Sequence, residues 1–239
     1  MNTSTLNHTL TFGSMSVDVV LKDIKNVHLS VYPPFGNIKV AAPLWTNIDT
    51  LRVYICSRFG WVKKQQSRMS AQKRVSPREC LTRESHYIRG QRYLMNVIES
   101  QNQPQVVLEQ TTISLTVKPN ISQNQKIKIF ETWQRLELKK DVKSLLTKWE
   151  PIIGVKSNKF VIRKMKTKWG SCNPDLKTIN LNLNLIEKLP EHLEYIVVHE
   201  LIHLIERNHT ATFIAYMDKF LPQWKQIKTE LNSLSLIKL

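Results

Sequence analysis

The chain has 239 residues, 41% hydrophobic and 23% charged, enough for one sizeable globular domain or a catalytic domain with a smaller companion. No run approaches the roughly 18 apolar residues of a membrane span, residues 1–15 lack the features of a secretory signal, and Cys56, Cys80 and Cys172 form neither a disulfide framework nor a CxxC clip. A non-membrane, cytoplasmic protein is therefore expected, and its one compositional outlier is a net charge of +16.

Val17–Leu21, His28–Tyr32 and Ile38–Ala42 read as short strands, the last two joined by a turn over Pro33–Asn37 into a hairpin. Asn47 or Asp49 can cap a helix whose apolar positions Leu51, Val53, Tyr54, Ile55, Phe59 and Val62 carry it to about Arg68. Ser70–Arg83 is polar and basic. From Arg52 to Arg92 eleven basic residues accompany only two acids, Glu79 and Glu84. Such a cluster can attract phosphate backbones or acidic proteins, or it can be a solvated face; no nucleic-acid-reading motif accompanies it.

Further β segments are expected at His86–Ile88, Tyr93–Ile98, Gln105–Leu108 and Ile113–Val117. A long helix follows over Lys126–Trp149, stopped by Pro151 and Gly154. Phe160–Arg163 and Thr178–Asn182 are strand-like and flank a turn at Lys168–Asp175. Pro190 then sits at the start of a helix over Glu191–Arg207, where a missing amide proton costs little. A last helix is expected from Thr210 to Phe220, resuming after Pro222. No internal repeat is apparent. The pattern is α+β, with a β-rich part over 1–120 that includes a basic helix and a second domain over 121–239.

The segment Tyr195–Ile205 contains HExxH. Residues four apart share one helix face, so His199 and His203 can converge on one metal ion. Zn²⁺ accepts imidazole nitrogen at ~2.0–2.1 Å and suits a tetrahedral site with one position left for water. Glu200 stands beside the metal, where it can take a proton from that water and deliver it to a leaving amine. The flanking Ile196, Val197, Val198, Leu201 and Ile202 belong to a buried helix, which would not present two histidines and a carboxylate on one face without a partner.

A third ligand has several candidates. His209 follows His203 by six residues, the separation in the longer HExxHxxGxxH motif, but Glu206 occupies the glycine position. The helix is therefore expected to reach Arg207 or Asn208, with a left-handed Asn208 returning His209 to the metal. Glu206, Asp218 and Glu230 are the alternatives.

Lys168–Cys172, Ile179–Asn182, Pro190, Tyr195–Leu201 and Asn208–His209, with Phe213, Pro222 and Trp224, together resemble the YgjP-like metallopeptidases, minimal zincins related in pattern to the SprT group. The likeness covers about 155–231 with specific motifs; more loosely it extends to Gly60–Val62 and Gly90–Tyr93. It implies that 121–239 is a zincin-like domain with an HExxH active-site helix, zinc held by His199, His203 and His209, and a catalytic Glu200. It also implies that Ile179–Asn182 is an edge strand that binds an extended peptide by backbone hydrogen bonds. Trp169 is expected to be a packing anchor, Cys172 a buried small residue rather than a fourth ligand, and Met217 a core residue. His8, His28, His86 and His192 are expected to be structural or exposed. The activity expected is zinc-dependent peptide hydrolysis; the alternative is a DNA-associated protein docked through residues 52–92.

Overall fold

The computed structural model describes residues 5–32, 36–71 and 78–234, so the turn expected at Pro33–Phe35 and part of the polar stretch after Ser70 lie outside the described residues. The chain divides between residues 75 and 76 into two compact units.

In the first unit, β1 (Leu6–Phe12) and β2 (Met15–Lys22) form a hairpin, with Gly13 supplying the positive φ of 60° at the turn. β3 (His28–Tyr32) pairs antiparallel with β4 (Asn37–Pro43), and β4 runs parallel to β2, giving the order β1-β2-β4-β3. β1 carries no alternating signal because it lies at the sheet edge and only Leu10 is buried. The single helix expected to Arg68 is two, α1 (Ile48–Ser57) and α2 (Phe59–Ala71). Asn47 caps the first, accepting from the Asp49 amide at 2.8 Å. At Arg58 the chain leaves helical geometry, with φ −103° and ψ 3°, and its amide bonds back to the Ile55 carbonyl. Leu51, Ile55 and Val62 then bury against Val17, Val19, Ile38 and Val40.

The second unit opens with β5 (Ser85–Ile88), β6 (Gln91–Glu99), β7 (Gln105–Leu108) and β8 (Thr112–Val117), ordered β5-β6-β8-β7 with β6 and β8 parallel. This is the strand order and pairing sense of the first sheet, a repeat of topology that the side chains do not display. The division falls well before residue 120, where the sequence places its boundary. The physical reason is a shared core: Ile88, Met95, Ile113 and Leu115 belong to one cluster with Phe130, Leu138 and Val142 of α3 (Gln123–Ile153). A Ser122–Gln125 capping box starts α3 and Gly154, at φ 78°, ends it; Pro151 lies inside the last turn.

A small sheet follows: β9 (Lys159–Arg163), β10 (Gly170–Asn173) and β11 (Thr178–Asn182), in the order β10-β11-β9. β11 is thus the central strand, antiparallel to β10 and parallel to β9. The expectation that Ile179–Asn182 forms the open edge is corrected: β10, within the segment expected to be a turn, lies on the edge. A 3-10 turn (Leu183–Glu187) leads to α4 (Pro190–Ile202), then α5 (Ala211–Phe220) and α6 (Trp224–Ser233). No helix among the described residues is long and apolar enough to cross a membrane. The basic stretch is divided between the two units, and Arg78 pairs with Glu187 while Arg89 pairs with Glu137 and Asp141.

Candidate metal centre

α4 is buried along most of its length because Ile196, Val197, Val198, Leu201 and Ile202 leave almost no polar face. It brings His199 and Glu200 into the interior and stops at Ile202, with His203 as its C-cap. The expected continuation to Arg207 does not occur. The Leu204 amide bonds to Leu201 O at 3.0 Å, and the Ile205 and Glu206 amides both bond to Ile202 O, each at 2.9 Å. The Glu206 carboxylate then accepts the Asn208 amide at 3.0 Å, and the Thr210 amide bonds to Asn208 O at 2.8 Å. Glu206 thereby shapes the turn that a glycine shapes in the longer motif. Asn208 has no positive φ, so no left-handed residue is needed to turn the chain.

This turn returns His209 to the helix just before Thr210 caps α5. His199, His203 and His209 each offer a ring nitrogen, and these lie within 4.8 Å of one another. The Nε2 atoms of His199 and His209 are 3.1 Å apart. The His203 Nδ1 lies 3.0 Å from the Glu206 carbonyl; a carbonyl only accepts, so Nδ1 carries the proton and Nε2 is the free lone pair. One residue that the sequence marks only as part of the family likeness, with no role at the site, packs against all three rings. Phe213 stands 4.9, 4.7 and 4.8 Å from the ring centres of His199, His203 and His209.

Glu200 is buried on the neighbouring face, and its Oε2 has no hydrogen-bond partner among the described residues. Burial pushes its carboxyl up to about 8, against the weaker opposing field of Lys168. β10 closes over it: a Cβ on Gly170 would lie 2.5 Å from Glu200 Oε1. Burial, and then the Glu200 charge, pushes the Cys172 thiol on this strand up to about 11. Burial, followed by the two neighbouring histidines, holds His199 down at about 3, so its imidazole is neutral.

The other candidate ligands are engaged elsewhere. Glu206 holds the turn, Asp218 accepts the Trp224 indole N–H at 2.7 Å, and Glu230 accepts from Gln226 at 2.9 Å. Cys172 is outside the histidine group. Met217 is fully buried in α5, and Trp169 is buried in the core, both as expected. His8 and His28 are exposed. His86 is buried beside Glu84, and His192 is buried 3.7 Å from Glu230.

The YgjP-like metallopeptidase-domain model matches residues 25–234. The chain belongs to this family. No curated protein matches it. Among solved structures, the metallopeptidase zymogen abylysin of Pyrococcus abyssi is 25% identical over 40% of this chain and 99% of its own, with a TM-score of 0.37. The metallopeptidase zymogen jannalysin of Methanocaldococcus jannaschii is 27% identical over 38% of this chain and 87% of its own, with a TM-score of 0.35.

A YgjP-like metallopeptidase needs a metal, and the donor set of this chain fits one. Tetrahedral coordination at ~2.0–2.1 Å sets ligand nitrogens about 3.3 Å apart, close to the 3.1 Å between His199 and His209 Nε2. Three imidazole donors with an orienting carbonyl behind one of them suit a borderline-soft divalent ion. The Glu200 oxygen beside this donor set is buried with no hydrogen-bond partner among the described residues, an uncommon state for a carboxylate in a folded chain.

Proposed function

We propose that the chain is a zinc peptidase of the zincin type, with His199, His203 and His209 as ligands, α4 as the active-site helix and Glu200 as general base. The observation that carries this reading is the convergence of three imidazole nitrogens within 4.8 Å beside a buried carboxylate with an unpartnered oxygen. Zinc bound there supplies a Lewis acid that polarises the scissile carbonyl and makes water nucleophilic near neutral pH.

The protein's own residues do the rest. Glu200 takes a proton from the attacking water and passes it to the leaving amine. The closing strand β10 keeps bulk water from the carboxylate. An extended peptide pairs with the outer edge of β10, since β11 is already paired on both sides. Phe213 fixes the planes of the three imidazoles.

The test is zinc stoichiometry and peptide hydrolysis of the whole chain. One zinc per chain, activity lost on chelation and restored by Zn²⁺, and metal lost in His203→Ala support the reading; a His203→Ala protein with unchanged zinc content contradicts it. Nucleic-acid docking through 52–92 is the alternative, favoured by the exposed Arg52 of α1, Lys63 and Lys64 of α2, and Arg58 between them. Steeply salt-dependent DNA binding is its test.

A further inference from the structure

The segment joining β9 to β10, Arg163-Lys164-Met165-Lys166-Thr167-Lys168, has four cations and no acid in six residues. Lys164 is paired with Glu131. Arg163, Lys166 and Lys168 are exposed and form no ion pair among the described residues.

A run of lysines is ordinarily a solvated face, but this one is held in place from below. Asn182 is fully buried and directs its side chain at this segment: Nδ2 donates to the carbonyls of Met165 and Lys168, each at 2.8 Å. Its backbone amide donates to Trp169 O at 2.9 Å. Trp169 is buried, and the next residue is the Gly170 that closes over Glu200. The backbone that carries these cations is thus fixed at the entry to the edge strand β10. The field of Lys168 reaches Glu200. Positive charge therefore borders the centre on the Glu200 side, two residues before the Gly170 that closes over it.

We infer that this rim selects acidic peptide segments, with Lys166 and Lys168 contacting Asp or Glu side chains of a substrate laid along β10. The inference rests on the peptidase reading for its site and goes beyond it in naming the substrate class. Backbone already held by Asn182 needs no ordering when a chain binds, and the charge it carries steers acidic chains to the cleft.

The experiment compares two peptides that differ only in acidic against neutral residues flanking the cut site, using the zinc-loaded full chain and Lys166→Glu/Lys168→Glu. Wild type should favour the acidic peptide by about tenfold in kcat/KM at low salt, as two or three partly screened contacts allow. The preference should shrink as salt rises and vanish or invert in the double variant, with zinc stoichiometry unchanged. Equal turnover of both peptides by wild type, or a preference untouched by the double variant, overturns the inference. If neither peptide is cut, the peptidase reading fails separately, and fluorescence anisotropy of the same labelled peptides reads the rim. Lysine-dependent preference for the acidic peptide then sustains the inference; equal binding overturns it. Tighter lysine-dependent binding of a single-stranded oligonucleotide than of the acidic peptide also overturns it, in favour of nucleic acid.

Discussion

A Cβ on Gly170 would stand 2.5 Å from Glu200 Oε1 and 2.9 Å from Ile196 Cγ2, so strand β10 and the buried carboxylate share one tight contact. Gly170 has no positive φ, so it is the approach, not backbone freedom, that requires glycine here.

Gly170→Ala should therefore shift Glu200 or the strand. Overpacking of this kind costs about 1–3 kcal/mol. The expected result is a fall in kcat of roughly tenfold or more, since small misplacements of a catalytic group are costly, with zinc content unchanged. Steady-state kinetics beside metal analysis checks it; wild-type kcat would show that the carboxylate does not need this contact.

Phe213→Ala removes the ring shared by the three imidazoles. A buried Phe replaced by Ala costs about 3–5 kcal/mol, and loosened ligands typically lose ~10–100-fold in metal affinity. Phe213→Leu keeps most of the volume and should restore most of the stability but less of the affinity. Competition against a chromophoric chelator separates the two effects.

Asn182→Leu leaves the Met165 and Lys168 carbonyls without their donor, and a loss of about 2 kcal/mol or more is expected in urea unfolding. Asn182→Asp, which cannot donate and buries a charge, should be worse.

Acid should destabilise the second unit through Glu84 and Glu137. Burial alone would raise both carboxyls. It is outweighed at Glu84 by the Glu79 and Leu81 amides and His86, and at Glu137 by Lys140 and Arg89, so both lie below the usual 4.5. A carboxyl depressed on folding contributes stability that is complete above its unfolded value and lost as pH falls through its folded one. The urea midpoint should thus drop below about pH 4.5, and less steeply in Glu137→Gln, which starts lower at neutral pH. An identical acid slope in that variant would remove Glu137 from the account.

What the sequence makes legible is local. The spacing of His199, Glu200 and His203 needs only one helical turn, and their convergence is readable without any fold. His209 is reached through its spacing and the family likeness, while the parts played by Phe213 and Gly170 depend on contacts that no local pattern marks. Phe213 is an ordinary apolar position of α5, and Gly170 is one glycine in a segment that reads as a turn. The edge strand is misread for the same reason: Thr178–Asn182 is short and alternating, but its place between Lys159–Arg163 and Gly170–Asn173 is set by pairing across the chain. The end of α4 at Ile202 follows from a side-chain bond, Glu206 to the Asn208 amide, that competes with helix propensity. The second sheet belongs with α3 through packing, not through any composition change near residue 120.

The most direct test of the central claim is peptide hydrolysis by zinc-loaded Glu200→Gln. Gln preserves shape and leaves His199, His203 and His209 intact, so zinc should remain at one per chain. A positioned general base contributes about 10²–10⁴-fold, and turnover should fall by that factor. Turnover near wild type at full zinc occupancy would contradict the assignment of Glu200 as the base.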